Sequence, residues 1–99
     1  MKGPIIYYEI KELYGRDLSS TKKATELRQD ILEQINLNFN VEVDFAGVRS
    51  ITGGWARNAL GLIVKSKGEE FFKNHILISN MNKGVRKTLL EGIAEIVEV

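Results

Sequence analysis

Residues 41–64, VEVDFAGVRSITGGWARNALGLIV, change hydrophobic period within one stretch, and that change limits the folds open to the chain. Phe39, Val41, Val43 and Phe45 alternate with Asn40, Glu42 and Asp44, the pattern of a strand with one apolar and one wet face. From about Gly53 to Lys67 the spacing is helical. Trp55, Ala59 and Ile63 stack at i, i+4 and i+8, and Ala56, Leu60 and Val64 widen the stripe. Gly68, behind Lys65 and Lys67, is a stop signal. A strand must therefore become a helix across the joint Thr52-Gly53-Gly54-Trp55. Glycine is about 1 kcal/mol worse than alanine inside a helix, so two glycines at a helix start need a reason, either internal packing or the close approach of another molecule.

The same alternation extends along the chain. IIYYEI, Ile5 to Ile10, reads as a first strand entered through Gly3-Pro4. STKKATELRQDILEQIN places Ala24, Leu27, Ile31 and Ile35 on one helical face, with Ser19 or Ser20 as N-cap. EEFFKN reads as a short helical turn and HILISN as a buried strand. NKGVRKTLLEG reads as a helix capped by Asn82 with Val85 and Leu89 inward, and AEIVEV as a closing strand. Strands separated by helices favour parallel pairing, yet strands covered on both faces would be almost continuously apolar, and Glu42 and Asp44 are not. The expected architecture is a single α/β domain: a small mixed or mainly parallel sheet of four to five strands, with three to four helices packed mostly on one face.

Composition excludes several classes. With 99 residues, 43% hydrophobic and 27% charged, the chain reads as one ordinary soluble domain. Fourteen Lys+Arg against thirteen Asp+Glu leave +1, so no chain-wide field draws in nucleic acid or an anionic membrane. The absence of cysteine removes disulfides, thiolate metal sites and a cysteine nucleophile. The apolar run in MKGPIIYYEIKEL is too short for a signal peptide, and no eighteen apolar residues occur in a row, so the cytoplasm is the expected location.

Chemical constellations are few. Glu42 and Asp44 point the same way from one strand, as a carboxylate pair would, but no second acid-base group is placed beside them, and a solvated sheet face or a loop-capping aspartate is the favoured reading. His75 is the only histidine and reads as a polar residue opening a strand. GRDLSSTKK, residues 15–23, lacks the second glycine and the Gly-Lys-Ser/Thr order of a phosphate-wrapping loop. Lys22 and Lys23 oppose the helix dipole in a first turn, so an anion or acidic partner near them, Arg16 and Arg49 is the functional alternative to simple solvation. No nucleophile with a base can be named, and no cofactor or metal is expected.

VEVDFAGVRSITGGWARNALGLIV followed by HILISNMNKGVRKTLLEGI resembles the STAS domain (sulfate transporter and anti-sigma factor antagonist). The positions that carry the resemblance are Val43-Asp44-Phe45, Val48, Ile51, Asn80 and Val85. It covers residues 41–93 well and residues 5–37 by order of elements, and is closest to a STAS-like group of unassigned function with an Asp-Phe-x-Gly-Val turn, here Asp44 to Val48. The resemblance implies a non-enzymatic regulatory module that docks on a protein, such as a histidine-kinase-type ATPase or an anti-sigma-like regulator. In bacterial anti-sigma antagonists the turn before the second helix bears an acidic residue and a serine that such an ATPase phosphorylates. Laid on this chain, the acidic position falls on Thr52 and the acceptor on Gly54, which has no hydroxyl. Ser50 and Thr52 are the substitutes, although Thr52 also suits an N-cap.

The expected docking residues are Asp44, Ser50, Thr52, Gly53, Gly54, Trp55, Arg57 and Asn58. Trp55 has two readings, a half-exposed hot spot or a member of the core stripe. The alternative function is a small-ligand or nucleotide domain that seats an anion on the backbone N–H groups of Gly53 and Gly54. An anion seat wants convergent basic residues, and only Arg49 and Arg57 flank the joint closely. Association of copies is left open by the sequence.

Overall fold

The computed structural model describes residues 3–97. Its elements run β1 (Ile5–Glu9), α1 (Ile10–Tyr14), β2 (Asp17–Leu18), α2 (Thr21–Asn36), β3 (Asn40–Asp44), β4 (Ser50–Ile51), α3 (Gly53–Ala56), a π-helical segment (Arg57–Gly61), α4 (Leu62–Lys67), α5 (Glu69–His75), β5 (Ile76–Ser79) and α6 (Lys83–Val97). Parallel strands need long crossovers, and the helices supply them. β1, β3 and β5 form a three-stranded parallel sheet in the order β1-β3-β5, and β2 pairs with β4, also in parallel. The expected single sheet of four to five strands is thus divided into three and two. β2 and β4 are two-residue rungs, Asp17 opposite Ser50 and Leu18 opposite Ile51, too short for any period to reveal them.

Register sets the two faces of the larger sheet. The rows Ile6–Val41–Ile76 and Tyr8–Val43–Ile78 turn into the core, where Val41 and Val43 are fully buried. Ile5, Tyr7 and Leu77 stand half-exposed on the opposite face. The wet face expected of β3 is only partly wet, because Glu42 is half-buried and Asp44 is 5% exposed. The apolar stripe of the central helix lies inside as its spacing requires: Trp55, Ala56, Ala59, Leu60, Ile63 and Val64 are all buried.

The expected closing strand is overturned. α6 continues through Ala94 to Val97, and the last two residues lie outside the described ones. Val85, Leu89 and Ile93 keep the i, i+4, i+8 stripe going past Gly92, with the first two buried and Ile93 packed against the core. Gly92 is no stop. A Cβ there would stand 3.1 Å from the Ala56 Cβ, so this glycine lets α6 lie close against α3. His75 likewise closes α5 instead of opening β5.

The three caps read from sequence are present. Ser20 Oγ accepts from the Lys23 N–H at 3.2 Å, Thr52 Oγ1 from the Trp55 N–H at 3.1 Å, and Asn82 Oδ1 from the Val85 N–H at 2.7 Å. Between α3 and α4 the helix widens for one turn. Asn58 Nδ2 donates to the Gly54 carbonyl at 2.8 Å, filling the acceptor an α-helix would give to the Asn58 N–H. Past it, the Leu62 N–H reaches the Arg57 carbonyl, five residues back.

Candidate functional site

The strand-to-helix connection is anchored first by Asp44. Its Oδ1 accepts from the Ala46 N–H at 2.8 Å and from Asn80 Nδ2 at 3.0 Å, while Oδ2 accepts from the Tyr7 hydroxyl. The Val48 N–H closes a turn onto the Phe45 carbonyl at 3.0 Å, with Gly47 in the left-handed region at φ 78°. Phe45 is fully buried and meets Trp55 edge-on, ring centroids 6.0 Å apart. Asp44 is therefore the loop-capping aspartate of the two sequence readings.

The next stretch is fastened to β2. Ser50 Oγ donates to Asp17 Oδ1 at 2.7 Å, the Arg49 guanidinium pairs with both Asp17 oxygens, and the Thr52 N–H reaches the Leu18 carbonyl at 2.9 Å. The hydrogen bonds from Arg49 and Ser50 hold the Asp17 carboxyl at about 2, below its ordinary 3.8. Asn82 Nδ2 donates to the Val48 and Arg49 carbonyls, both at 3.1 Å, tying the same loop to the start of α6. Asp17 was not legible as a site residue: a single aspartate in GRDLSS carries no sign of partners more than thirty positions away.

At the joint itself the backbone is tied but the space beside the two glycines is open. A Cβ built on Gly53 meets nothing within 4 Å, and one on Gly54 meets only Thr21 Cγ2 at 3.5 Å, ordinary contact. Neither glycine has a positive φ. Packing and backbone conformation therefore both leave room for a side chain. Gly53, Thr52 and Arg57 are exposed, Gly54 and Asn58 half-buried, and the Arg28 guanidinium donates to the Asn58 carbonyl from α2.

The structure brings Ser50, Thr52, Gly53, Gly54, Arg57 and Asn58 together around one helix start. Asp44 and Trp55 are 5% and 1% exposed, which corrects the expectation that their side chains meet a partner directly; Trp55 is the core member of its two sequence readings. Lys22, Lys23 and Arg16 are exposed beside it, Lys22 and Lys23 in the first turn of α2. Among the described residues no three acidic or histidine side chains gather as metal ligands would, and no helix is long and apolar enough to cross a membrane.

A small parallel α/β domain whose central strand passes through a capped Asp-Phe-x-Gly-Val turn into a helix is the class this geometry defines. A family model described as a STAS-like domain of unknown function (DUF4325) matches residues 23–86, and the chain belongs to that family. The match spans the turn, the joint and the start of α6. No curated protein and no solved structure shows significant similarity to the chain.

Proposed function

We propose that the chain is a non-enzymatic regulatory module that docks on a partner protein, a histidine-kinase-type ATPase or an anti-sigma-like regulator, through the joint at residues 44–58. The observation that carries this reading is the pair Gly53 and Gly54. Gly53 is exposed and Gly54 half-buried, at a helix start where glycine is unfavourable, and neither internal packing nor backbone conformation requires glycine at either position. Small residues there leave space for another backbone to approach. The hydroxyls nearby are already used, Thr52 as cap and Ser50 as donor to Asp17. Docking on this surface then works without a covalent switch. The anion-seat alternative has less support, because Arg49 is committed to Asp17 and Arg57 alone of the two flanking arginines carries no ion pair among the described residues.

The test starts from a partner recovered from the native host on the immobilised chain, followed by calorimetric titration of wild type, Gly54→Glu and Arg57→Ala. An acid suits a helix's first turn, so Gly54→Glu folds. At a docking centre it costs about 2 kcal/mol or more, roughly a thirtyfold loss, whereas Arg57→Ala at the rim costs less. Unchanged affinity for folded Gly54→Glu overturns the reading.

A further inference from the structure

At the opposite end of the sheet, where the amino-terminal ends of β3 and β5 meet the last turn of α2, the structure holds an open surface cleft of about 590 Å³, lined in part by exposed Asn36 and Asn38; its volume lies inside the roughly 300–1,000 Å³ range of small-molecule sites. Leu32 and Ile35 of α2 supply apolar lining. Phe71 packs against the His75 ring at 4.8 Å between centroids, and His75 Nδ1 is held 2.8 Å from Asn40 Oδ1, which fixes that aromatic wall. Lys67 Nζ lies 5.9 Å from the Phe71 ring centroid. Glu33 lines the cavity as well, yet Glu33 and Lys67 form no ion pair with each other. One cavity thus presents an anion, a cation and an aromatic wall at once. A ligand with only a carboxylate would meet Glu33 uncompensated, and one with only an ammonium would meet Lys67.

We infer that this cavity binds a small zwitterion carrying an aromatic group, the chemistry of an aromatic amino acid. Its carboxylate faces Lys67, its ammonium faces Glu33, and its ring lies against Phe71 and the leucine–isoleucine lining. The site is separate from the joint and does not depend on the docking reading.

The test is an NMR titration of the whole chain with L-phenylalanine, followed through backbone amides. Saturable shifts confined to residues 32–38 and 67–75 are expected, with a dissociation constant of about 1 mM or tighter. N-acetyl-phenylalanine, without the ammonium, and phenylalanine amide, without the carboxylate, should each bind about tenfold more weakly, as loss of a charge-assisted contact does. Glu33→Gln should weaken phenylalanine while sparing the N-acetyl derivative, and Lys67→Gln should weaken it while sparing the amide. Both side chains are exposed, and the derivative series on the unaltered chain decides the matter alone if a variant fails to fold. Absence of saturable shifts, shifts centred elsewhere, or equal affinity for all three compounds would overturn the inference.

Discussion

The turn at residues 44–48 and the joint at residues 52–55 lie close in sequence and both use glycine, but for opposite reasons. In the turn the Asp44 carboxylate, the Ala46 and Val48 N–H groups and the Phe45 carbonyl are paired inside the chain, and Gly47 is required by its own backbone: φ is 78°, and a Cβ would stand 2.7 Å from Lys11 Cδ. At the joint Thr52 makes its cap bond while Gly53 and Gly54 answer no internal demand. A glycine that the fold does not need is a better pointer to an outside molecule than one it does. Variants that separate fold-required positions from fold-indifferent ones test that contrast.

Asp44→Ala should give the largest effect. It removes the acceptor of the Tyr7 hydroxyl, the Ala46 N–H and the Asn80 amide at a position 5% exposed. The Tyr7, Ala46 and Asn80 donors are themselves exposed, so water takes over their pairing and the loss is the net worth of three hydrogen bonds, about 0.5–1.5 kcal/mol each. A loss of about 2–4 kcal/mol in urea unfolding is expected. A loss below about 1 kcal/mol would mean that the turn holds without its cap.

Gly47→Ala should cost about 1–2 kcal/mol, the penalty for a side chain in the left-handed region. The Lys11 tail can swing aside, so the backbone, not the contact, sets this figure. Thermal unfolding measures it, and a neutral result would show that the turn relaxes to another conformation.

The fastening between turn and joint has a pH signature. The Asp17 carboxyl, ordinarily at 3.8, is held at about 2 by Arg49 and Ser50. A depressed acid contributes stability above its unfolded value and loses it as pH falls through the folded one, so this contribution fades between about pH 4 and 2. The group is exposed and the energy is small. NMR titration should place the Asp17 midpoint near 2 in wild type and move it up toward 3.8 in Arg49→Ala; coincident midpoints would show that the pair does not form in solution.

What the sequence reveals and what it hides follow from distance along the chain. The caps at Ser20, Thr52 and Asn82 and the stripes of α2 and the central helix depend on residues three or four apart, so spacing alone exposes them. β2 and β4 are held by cross-chain rungs, and α1, at five residues, spans barely more than one turn. Neither has a period long enough to read. The error at the carboxyl end has a definite cause. Gly92 looks like a helix stop in isolation, and only the Ala56 Cβ that lies against it explains a glycine inside a continuing helix. In the candidate site the residue types were legible, but Asp44 and Trp55 lie inside because Asn80 and Tyr7 reach the first and Phe45 the second across the fold.

The smallest effect is expected at the joint. Gly53→Ala and Gly54→Ala put one Cβ each where the chain offers open space or a 3.5 Å contact with Thr21 Cγ2. Both residues sit in the first helical turn, where the preference for alanine is only partly felt. Reducing the freedom of the unfolded chain favours the variants by about 0.4–1 kcal/mol per site at most. The double variant should therefore match wild type or melt slightly higher, with Thr52 still capping the Trp55 N–H. This outcome turns the observation about space into one about function: two substitutions that the fold tolerates or welcomes are absent from the natural chain, at the surface where a partner is proposed to approach. A loss of more than about 1 kcal/mol in the double variant would instead assign the glycines to internal packing, and the contrast between turn and joint would disappear.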